Sequence, residues 1–298
     1  MKIKGLDKFQ EKNPILSGKK IFLLPLYALS ILLLCLLVMI RFYSLPDITI
    51  SSGINPILLS LFPLIGEVIV SIVGLVLVYQ MWFWKDRLKA KYGQLSYQHI
   101  FLVGFAGVSC LLSLSVNSFI HYWSFSPLFW IHSPLKFLTI PLEEYFYPLG
   151  FIVFWIKITL SVFFSVFSIT MMIRSFQEFG FDYMTVLYLY FPKESKLQNH
   201  QIYSVIRHPM YTGALLLGLA GMFSTLTLYS VIFFLVYFLA FYIYVHFVEE
   251  KELIARFGLS YQDYIKNVPA FFVYPNKLRT LLGFLIGRNE NETKYLKK

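Results

Sequence analysis

Long apolar runs with few interruptions dominate the pattern of hydrophobic and polar positions along the chain. Four of these runs lie at positions 21–40, 58–84, 100–120 and 149–173. A helix needs about 20 mostly apolar residues to cross the hydrocarbon core of a bilayer. The pattern therefore predicts four membrane-spanning helices joined by more polar segments.

A fifth apolar run, at positions 213–247, is 35 residues long. As a single helix it would extend about 52 Å, far beyond a hydrocarbon core of about 30 Å. Ser224, Thr225 and Thr227 interrupt the run near its middle. We therefore expect a tight helical hairpin that enters the membrane and returns, which brings the number of transmembrane segments to about six.

The distribution of positive charge supports the hairpin. The chain has 26 Lys and Arg against 16 Asp and Glu, a net charge of +10. With a hairpin, 23 of the 26 basic residues fall on one side of the membrane, whereas a single crossing would divide them 14 against 12. Basic residues collect in cytoplasmic loops. We therefore expect both termini in the cytoplasm, with the protein in the plasma membrane of a prokaryote or the endoplasmic reticulum of a eukaryote.

The composition excludes several classes of protein. Charged residues make up only 14% of the chain and hydrophobic residues 57%, whereas soluble domains carry about 25% charge. A soluble enzyme and a disordered protein are therefore excluded, and the fold class predicted is an all-α polytopic membrane protein. The surplus of basic residues lies on the predicted cytoplasmic side of the membrane, so nucleic acid is not expected as a partner.

Cysteine and histidine give no sign of a metal site. Cys35 and Cys110 both lie within apolar runs, and the six histidines are scattered along the chain. A zinc site or a di-iron oxygenase would need several such ligands close together. We therefore expect neither a disulfide framework nor a metal ion.

The first segment whose residues could take part in binding or catalysis extends from Tyr203 to Gly213. Arg207 and His208 stand directly before Pro209, at the predicted start of the hairpin. Proline suits the first position of a helix, and a helix N-terminus favours an anion. The alternative is that Arg207 is one more basic residue of the cytoplasmic side and that His208 caps the helix.

The second segment closes the same hairpin with His246, Glu249, Glu250 and Glu252. Adjacent acids at the C-terminal end of a helix oppose its dipole, so a cation should compensate them. Because the two ends of a hairpin are neighbours, we expect Glu249 and Glu250 close to Arg207 and His208. A pocket with both signs of charge would suit a zwitterionic ligand. The alternative, a solvated start of the C-terminal tail, is preferred for Glu252.

An amphipathic helix follows. Its apolar positions recur at helical spacing and are Leu253, Phe257, Tyr261, Tyr264 and Ile265. We expect this helix to end at positions 268–269, to lie on the membrane interface and to cover the pocket. Its apolar stripe is expected to serve packing.

The chain then divides into an N-terminal transmembrane region at 1–148, a catalytic region at 149–272 and a basic tail at 273–298.

These motifs together resemble a known family. Tyr203, then Arg207-His208-Pro209-Met210-Tyr211-Thr212-Gly213, then Glu249-Glu250, then Arg256-Phe257-Gly258 with Tyr261 and Tyr264, is similar to the isoprenylcysteine carboxyl methyltransferases, and the phospholipid N-methyltransferases share the pattern. The resemblance implies an integral-membrane enzyme that uses S-adenosylmethionine and a lipophilic acceptor. It also implies that residues of both motifs enclose the cofactor, namely Arg207, His208, Pro209, Tyr211, Gly213, Glu249 and Glu250.

The acceptor determines which residues would be catalytic. A carboxylate acceptor, as in isoprenylcysteine, is already ionised near neutral pH and needs a cation to orient it, which Arg256 or Arg174 could supply. An amine acceptor, as in a phospholipid, would have to lose a proton, and Tyr203, His208 or a spare glutamate would then act as the base. The intramembrane charges Glu67 and Lys157 are functional candidates or structural pairs.

Two other classes compete with this interpretation. Sterol reductases that use NADPH have a related Arg-His motif, but this chain has Met210 where that pattern has Asn. A transporter would be expected to show inverted repeats or broken helices near the midplane, and the sequence shows neither.

Overall fold

The computed structural model describes residues 3–49, 62–124, 136–138 and 140–287. Helices and turns make up this part of the chain, and it contains no β-strand. The predicted all-α class is therefore confirmed. The α-helices are α1 (Leu6–Lys12), α2 (Leu23–Thr49), α3 (Phe62–Phe83), α4 (Lys85–Tyr92), α5 (Phe101–Ser124), α6 (Gly150–Phe179), α7 (Phe181–Met184), α8 (Leu187–Tyr190), α9 (Pro209–Thr225), α10 (Leu228–Tyr244), α11 (Glu250–Phe257), α12 (Leu259–Asn267) and α13 (Leu278–Leu285).

Short 3-10 turns and one π-helix complete the elements of the described residues. The π-helix, Val245–Glu249, joins α10 to α11. The 3-10 turns are Pro14–Leu16, Gly18–Phe22, Gly93–Leu95, Tyr97–His99, Lys136–Leu138, Leu142–Phe146, Pro192–Glu194, Gln201–Ser204 and Pro275–Lys277.

Five stretches of the described helices are long and apolar enough to cross a membrane, and they are Gly18–Phe42, Leu64–Phe83, Phe101–Phe119, Gly150–Phe179 and Leu228–Phe257. The first half of the predicted hairpin is α9, which has 17 residues. At 1.5 Å per residue it is about 26 Å long, at the lower end of what can span a bilayer. The chain is therefore a multi-pass membrane protein.

The chain forms two compact units that are interleaved in sequence. Unit 1 consists of Met1–Phe9, Phe163–Leu217 and Leu235–Lys298, and unit 2 consists of Gln10–Val162 and Gly218–Phe234. The functional boundaries expected near positions 149 and 273 stay predictions.

Unit 2 has an apolar core between α2, α3 and α5. Its buried side chains are Cys35, Leu36, Met39, Val70, Cys110 and Leu114. The helices approach closely because glycines face each other, and a Cβ on Gly107 would lie 2.7 Å from the carbonyl oxygen of Gly74. Both cysteines are free thiols, with 3.5 Å between their sulfur atoms.

The turn of the hairpin lies in unit 2, where the polar interruption predicts it. Helix α9 ends at Thr225, Leu226 has a φ of +45°, and α10 begins at Leu228. The backbone N–H of Ser230 donates to Thr227 Oγ1, and the N–H of Thr227 donates to Ser230 Oγ, both at 3.0 Å. This reciprocal capping satisfies N–H groups that the start of a helix leaves unbonded.

Both intramembrane charges that the sequence singled out are buried in unit 2 with partners. Glu67 is 2% exposed, and its carboxylate accepts hydrogen bonds from Asn117 Nδ2 at 3.0 Å and from the Tyr229 hydroxyl at 2.6 Å. Lys157 is 4% exposed and forms an ion pair with Glu143. The pairing of Lys157 agrees with the structural alternative for that residue.

Unit 1 has its own core, which consists of Met171, Ile202, Tyr203, Val205, Ile206, Leu281, Phe284 and Leu285. Helices α6 and α9 meet through a small residue, because a Cβ on Gly213 would lie 2.5 Å from Cγ of Met172. The Ser168 hydroxyl donates to the Gly213 carbonyl at 2.7 Å, also in this contact. The sequence-predicted site residue Gly213 therefore lies in a helix–helix contact.

The N-terminal segment packs on the aromatic stretch that follows α6. Phe9 is fully buried, and its ring meets that of Phe181 edge to face at 4.8 Å. The Phe181 N–H donates to the Lys4 carbonyl at 2.7 Å. Gly5, with a φ of +78°, has no room for a side chain beside Asp182. All four residues of α8 are buried as well, so this stretch is part of the core of unit 1.

The predicted amphipathic helix is present as two helices. Gly258, with a φ of +60°, separates α11 from α12, since this left-handed conformation suits glycine and ends a helix. The apolar stripe packs as expected, with Tyr261, Tyr264 and Val268 buried and Phe257 against them. Helix α12 ends at Asn267.

Candidate functional site

A π-helical turn places two consecutive glutamates at one end of the hairpin. The five residues Val245–Glu249 form the π-helix, and Glu250 begins α11. A π-turn inserts a residue into the hydrogen-bond ladder, changes the direction of the side chains after it and is frequent at functional sites. Glu249 and Glu250 both reach the same imidazole, that of His208.

The segment before α9 is fixed by an extended pairing with the segment after α12. The N–H of Arg207 donates to the Pro269 carbonyl at 2.9 Å, and the N–H of His208 donates to the Ala270 carbonyl at 3.1 Å. Pro209 then occupies the first position of α9, where its missing N–H is not needed. These backbone bonds orient the Arg207 and His208 side chains, both of which are buried.

Arg207 forms a buried ion pair with Glu250. Its Nη2 lies 2.6 Å and its Nε 3.0 Å from Glu250 Oε1. Its Nη1 donates to the Ile265 carbonyl at 3.0 Å and also to the Val268 carbonyl. Four of the five guanidinium N–H donors are thus engaged within the protein. Arg207 therefore fixes Glu250 to the end of α12.

His208 lies between the two glutamates. Its Nε2 is 3.2 Å from Glu250 Oε1, and its Nδ1 is 3.5 Å from Glu249 Oε1. Burial by itself lowers the pKa of His208, but the hydrogen bonds and charges of Glu249 and Glu250 outweigh burial, so its pKa lies above the ordinary value of 6.5. His208 is therefore stabilised as a cation.

Two buried polar atoms in this region are not hydrogen-bonded within the described part of the chain. They are Oε2 of Glu249 and the hydroxyl of Tyr261. Most buried polar groups in proteins have a hydrogen-bond partner, and an unmade bond costs about 1–3 kcal/mol. An exception in a native site therefore requires an explanation, and a bound ligand is one.

Aromatic rings line the region next to His208. The ring centroid of Tyr211 lies 5.6 Å from that of Phe241, 6.0 Å from that of Tyr244 and 5.9 Å from that of His208. Phe271 is buried, with its centroid 6.3 Å from the His208 ring. These side chains provide an apolar, aromatic environment beside the ion-pair cluster, which consists of Arg207, His208, Glu249 and Glu250.

The three residues proposed as catalytic all have partners within unit 1. Arg256 pairs with Glu252 one turn earlier, at 2.6 Å. Arg174 donates to the Leu285 carbonyl at 3.0 Å and to Gln177 at 3.1 Å. Arg256 lies on α11 and Arg174 on α6, and both guanidinium groups are engaged within unit 1.

Tyr203, the third of these residues, is buried against the ring of Phe179. The two rings stack with centroids 4.8 Å apart, and the Tyr203 carbonyl accepts a hydrogen bond from the Tyr264 hydroxyl. Burial first, and then Tyr264 and Glu249, raise the pKa of Tyr203 well above its ordinary value. The phenol therefore stays protonated at neutral pH.

Sequence reasoning missed the contribution of residues 268–271. Their backbone carbonyls receive hydrogen bonds from Arg207, from His208 and from the Thr212 hydroxyl, the last at 3.1 Å to Phe271. The only signal in the sequence was the end of the amphipathic pattern at Val268-Pro269. Carbonyl groups carry no side-chain signature, so this part of the site needed the structure.

Comparison with known proteins gives a match to a protein family. Residues 156–260 match the family model of phospholipid methyltransferase. No curated protein and no solved structure matches the chain. The match includes both motifs of the ion-pair cluster, and it confirms the predicted resemblance for that part of the chain. It implies an integral-membrane methyltransferase with a lipid substrate.

Proposed function

We propose that this protein transfers a methyl group from S-adenosylmethionine to a lipophilic acceptor that enters from the bilayer. The observation that carries the proposal is the cluster of Arg207, His208, Glu249 and Glu250, which has an unbonded buried carboxylate oxygen on Glu249 among the described residues. The cluster lies within residues 156–260, which match a methyltransferase family.

The residues present fit the cofactor. Its amino-acid end carries an ammonium group, which would bind to Oε2 of Glu249, beside the Tyr211 hydroxyl that also interacts with this carboxylate. Its carboxylate would be favoured near the N-terminus of α9, which begins at Pro209. The rings of Tyr211, Phe241 and Tyr244 would suit the adenine ring or the sulfonium cation, since cations bind to the faces of aromatic rings. Gly213 would contribute by keeping α9 close to α6.

The protein's part in the reaction is to orient the reactants and to exclude water. The bound cofactor supplies a methyl group that its positive sulfur makes electrophilic. The Arg207–Glu250 pair fixes α11 and α12 against the start of α9, and His208 orients Glu249. Such positioning supplies much of the catalysis of a group transfer between two bound molecules.

The acceptor favoured by the sequence is a carboxylate of the isoprenylcysteine type. Arg256 or Arg174 would orient it. To bind the substrate, Arg256 would have to give up its ion pair with Glu252, and Arg174 its hydrogen bond to the Leu285 carbonyl. A phospholipid amine is the second candidate, which the match to phospholipid methyltransferase favours. The raised pKa of His208 weighs against this residue as the base for an amine.

The setting of the reaction follows from the charge distribution. We infer that both termini lie in the cytoplasm, that the cofactor enters from that side and that membrane lipids are the partners. The catalytic region would be residues 149–272, with residues 1–148 as an accessory or substrate-facing region and 273–298 as a basic tail.

A labelled-methyl assay tests the proposal. The full chain, purified in detergent, would be incubated with S-adenosylmethionine labelled in its methyl group and with a membrane lipid extract, and the labelled lipid would be identified. A base-labile methyl ester indicates a carboxylate acceptor, and a stable methylamine indicates a phospholipid amine. Thermal shift with S-adenosylhomocysteine against NADPH separates a methyltransferase from a reductase, and stabilisation by NADPH alone would contradict the proposal.

A further inference from the structure

Tyr261 is a buried tyrosine whose hydroxyl the packing of unit 1 does not explain. The residue is 2% exposed, and its hydroxyl has no hydrogen-bond partner among the residues that the structure describes. Its neighbour on the same helix, Tyr264, is also buried but donates its hydroxyl hydrogen to the Tyr203 carbonyl. A phenylalanine at position 261 would fill the apolar contacts equally well without a buried polar atom.

Tyr261 lies on α12 close to the ion-pair cluster, because Glu250, Glu249 and Arg207 all act electrostatically on its hydroxyl. Positions 261, 264 and 265 lie on one face of the helix, because residues three and four apart are neighbours. The backbone carbonyl of Ile265 on the same helix receives a hydrogen bond from Arg207, and the rings of Tyr261 and Tyr264 meet edge to face at 5.8 Å. Tyr261 thus lies one turn before the point where Arg207 holds α12.

The charges of the cluster act on the Tyr261 hydroxyl. Burial first, and then Glu250 and Glu249, raise the pKa of Tyr261 above its ordinary value, and Arg207 opposes this in part. The hydroxyl therefore keeps its proton at neutral pH and is a hydrogen-bond donor. Four of the Arg207 donors are already engaged, so a carboxylate bound here would need donors from other residues.

We propose that Tyr261 binds the cofactor, with its hydroxyl donating a hydrogen bond to the carboxylate at the amino-acid end; this inference rests on the proposed function. In an amino acid the ammonium and the carboxylate share one carbon atom. An ammonium bound to Oε2 of Glu249 would therefore keep the carboxylate at the same cluster. Residue 261 lies just outside the stretch 156–260 that matches the family model.

Calorimetry on the full chain in detergent tests this with two ligands. One is S-adenosylhomocysteine, and the other is its decarboxylated analogue, which keeps the ammonium group. Tyr261→Phe should weaken the binding of S-adenosylhomocysteine about tenfold, as expected for the loss of one hydrogen bond to a charged group. It should leave the affinity for the decarboxylated analogue unchanged. Its melting temperature without ligand should equal or exceed that of the wild type, because an unbonded hydroxyl is removed.

Tyr264→Phe is the matched control. It removes the hydroxyl that bonds the Tyr203 carbonyl, so its melting temperature should fall, and the two ligands should be affected equally. If Tyr261→Phe binds both ligands like the wild type, the role of Tyr261 is refuted while the proposed function stands. An equal loss for both ligands would refute the carboxylate as the partner of Tyr261. A wild type that binds neither ligand would overturn the proposed function, and the role of Tyr261 with it.

Discussion

Two buried glutamates of this protein, one in each compact unit, differ in the partners that hold them. Glu250 in unit 1 is 6% exposed, and Glu67 in unit 2 is 2% exposed. Glu250 accepts hydrogen bonds from the guanidinium of Arg207 and is paired with His208. Glu67 accepts hydrogen bonds from Asn117 and Tyr229, whose side chains are neutral.

This difference separates a site that can attract a charged ligand from a contact that joins helices. Removing an ion from water costs several kcal/mol, and a cation nearby offsets part of that cost. In unit 1, Arg207 and His208 hold the buried carboxylate of Glu250, beside a Glu249 oxygen that has no hydrogen bond among the described residues. In unit 2 the carboxyl group of Glu67 connects α3 to α5 and α10 through Asn117 and Tyr229. A buried acid in a membrane protein is therefore better judged by its donors than by its burial.

The largest effect on stability is expected when one partner of the Arg207–Glu250 ion pair is removed. Glu250→Ala leaves the Arg207 charge buried without its carboxylate, so we expect a loss of about 3–5 kcal/mol of stability, measured by unfolding in detergent. The double variant Arg207→Met/Glu250→Leu should recover most of this stability but should not bind S-adenosylhomocysteine. A Glu250→Ala protein as stable as the wild type would show that the pair is not a buried charge contact.

The next largest effect is expected in unit 2. Glu67→Ala leaves the buried amide of Asn117 and the half-buried hydroxyl of Tyr229 without the acceptor that Glu67 provides, which should cost about 2–3 kcal/mol of stability. Glu67→Gln retains an oxygen acceptor and serves as the control, with a smaller loss. Calorimetry should show wild-type affinity for S-adenosylhomocysteine in Glu67→Gln. A selective loss of affinity in this folded control would assign Glu67 to the ligand site and remove the distinction between the two clusters.

A smaller effect is expected from the glutamate with the unbonded oxygen. Glu249→Gln removes a negative charge that would bind the ammonium group, so the affinity for S-adenosylhomocysteine should fall about tenfold, equivalent to about 1.4 kcal/mol. Its melting temperature should change little. The control is Glu252→Gln, because Glu252 is engaged with Arg256 and should not affect ligand affinity. Equal affinities in both variants would contradict the role of Glu249.

The smallest effect is a pH dependence that His208 confers on stability. Its pKa is raised in the folded protein, so its contribution is fully present below the unfolded pKa of about 6.5 and is lost as the pH rises through the higher folded value. The stability of the wild type relative to His208→Gln should therefore decline with increasing pH above about 6.5. Thermal unfolding of both proteins across this range measures the difference, and a difference that grows with pH would contradict the cationic state of His208.

The sequence predicted the parts of the fold that depend on local composition. The spanning helices follow from the length of each apolar run, and the hairpin turn follows from Ser224, Thr225 and Thr227. The two motifs, Arg207-His208 and Glu249-Glu250, stand at the two ends of the hairpin in the sequence. Because the ends of a hairpin are neighbours in space, the sequence already predicted that the motifs lie close together. The division of the amphipathic helix at Gly258 was missed, because the apolar period continues across the glycine while only its backbone conformation changes.

What the sequence determined by itself was an all-α membrane protein with a charged motif at each end of a hairpin, since hydrophobic length and charge distribution are properties of the chain. Only the tertiary structure decided how those charges are used. It directs both glutamates to His208 through a π-turn, and it engages the Arg207 donors with Glu250 and two carbonyls of the α12 segment. It also leaves the Tyr261 hydroxyl and one Glu249 oxygen unbonded among the described residues. Hydrogen bonds depend on the direction and distance of single atoms, and the packing of segments distant in sequence sets both.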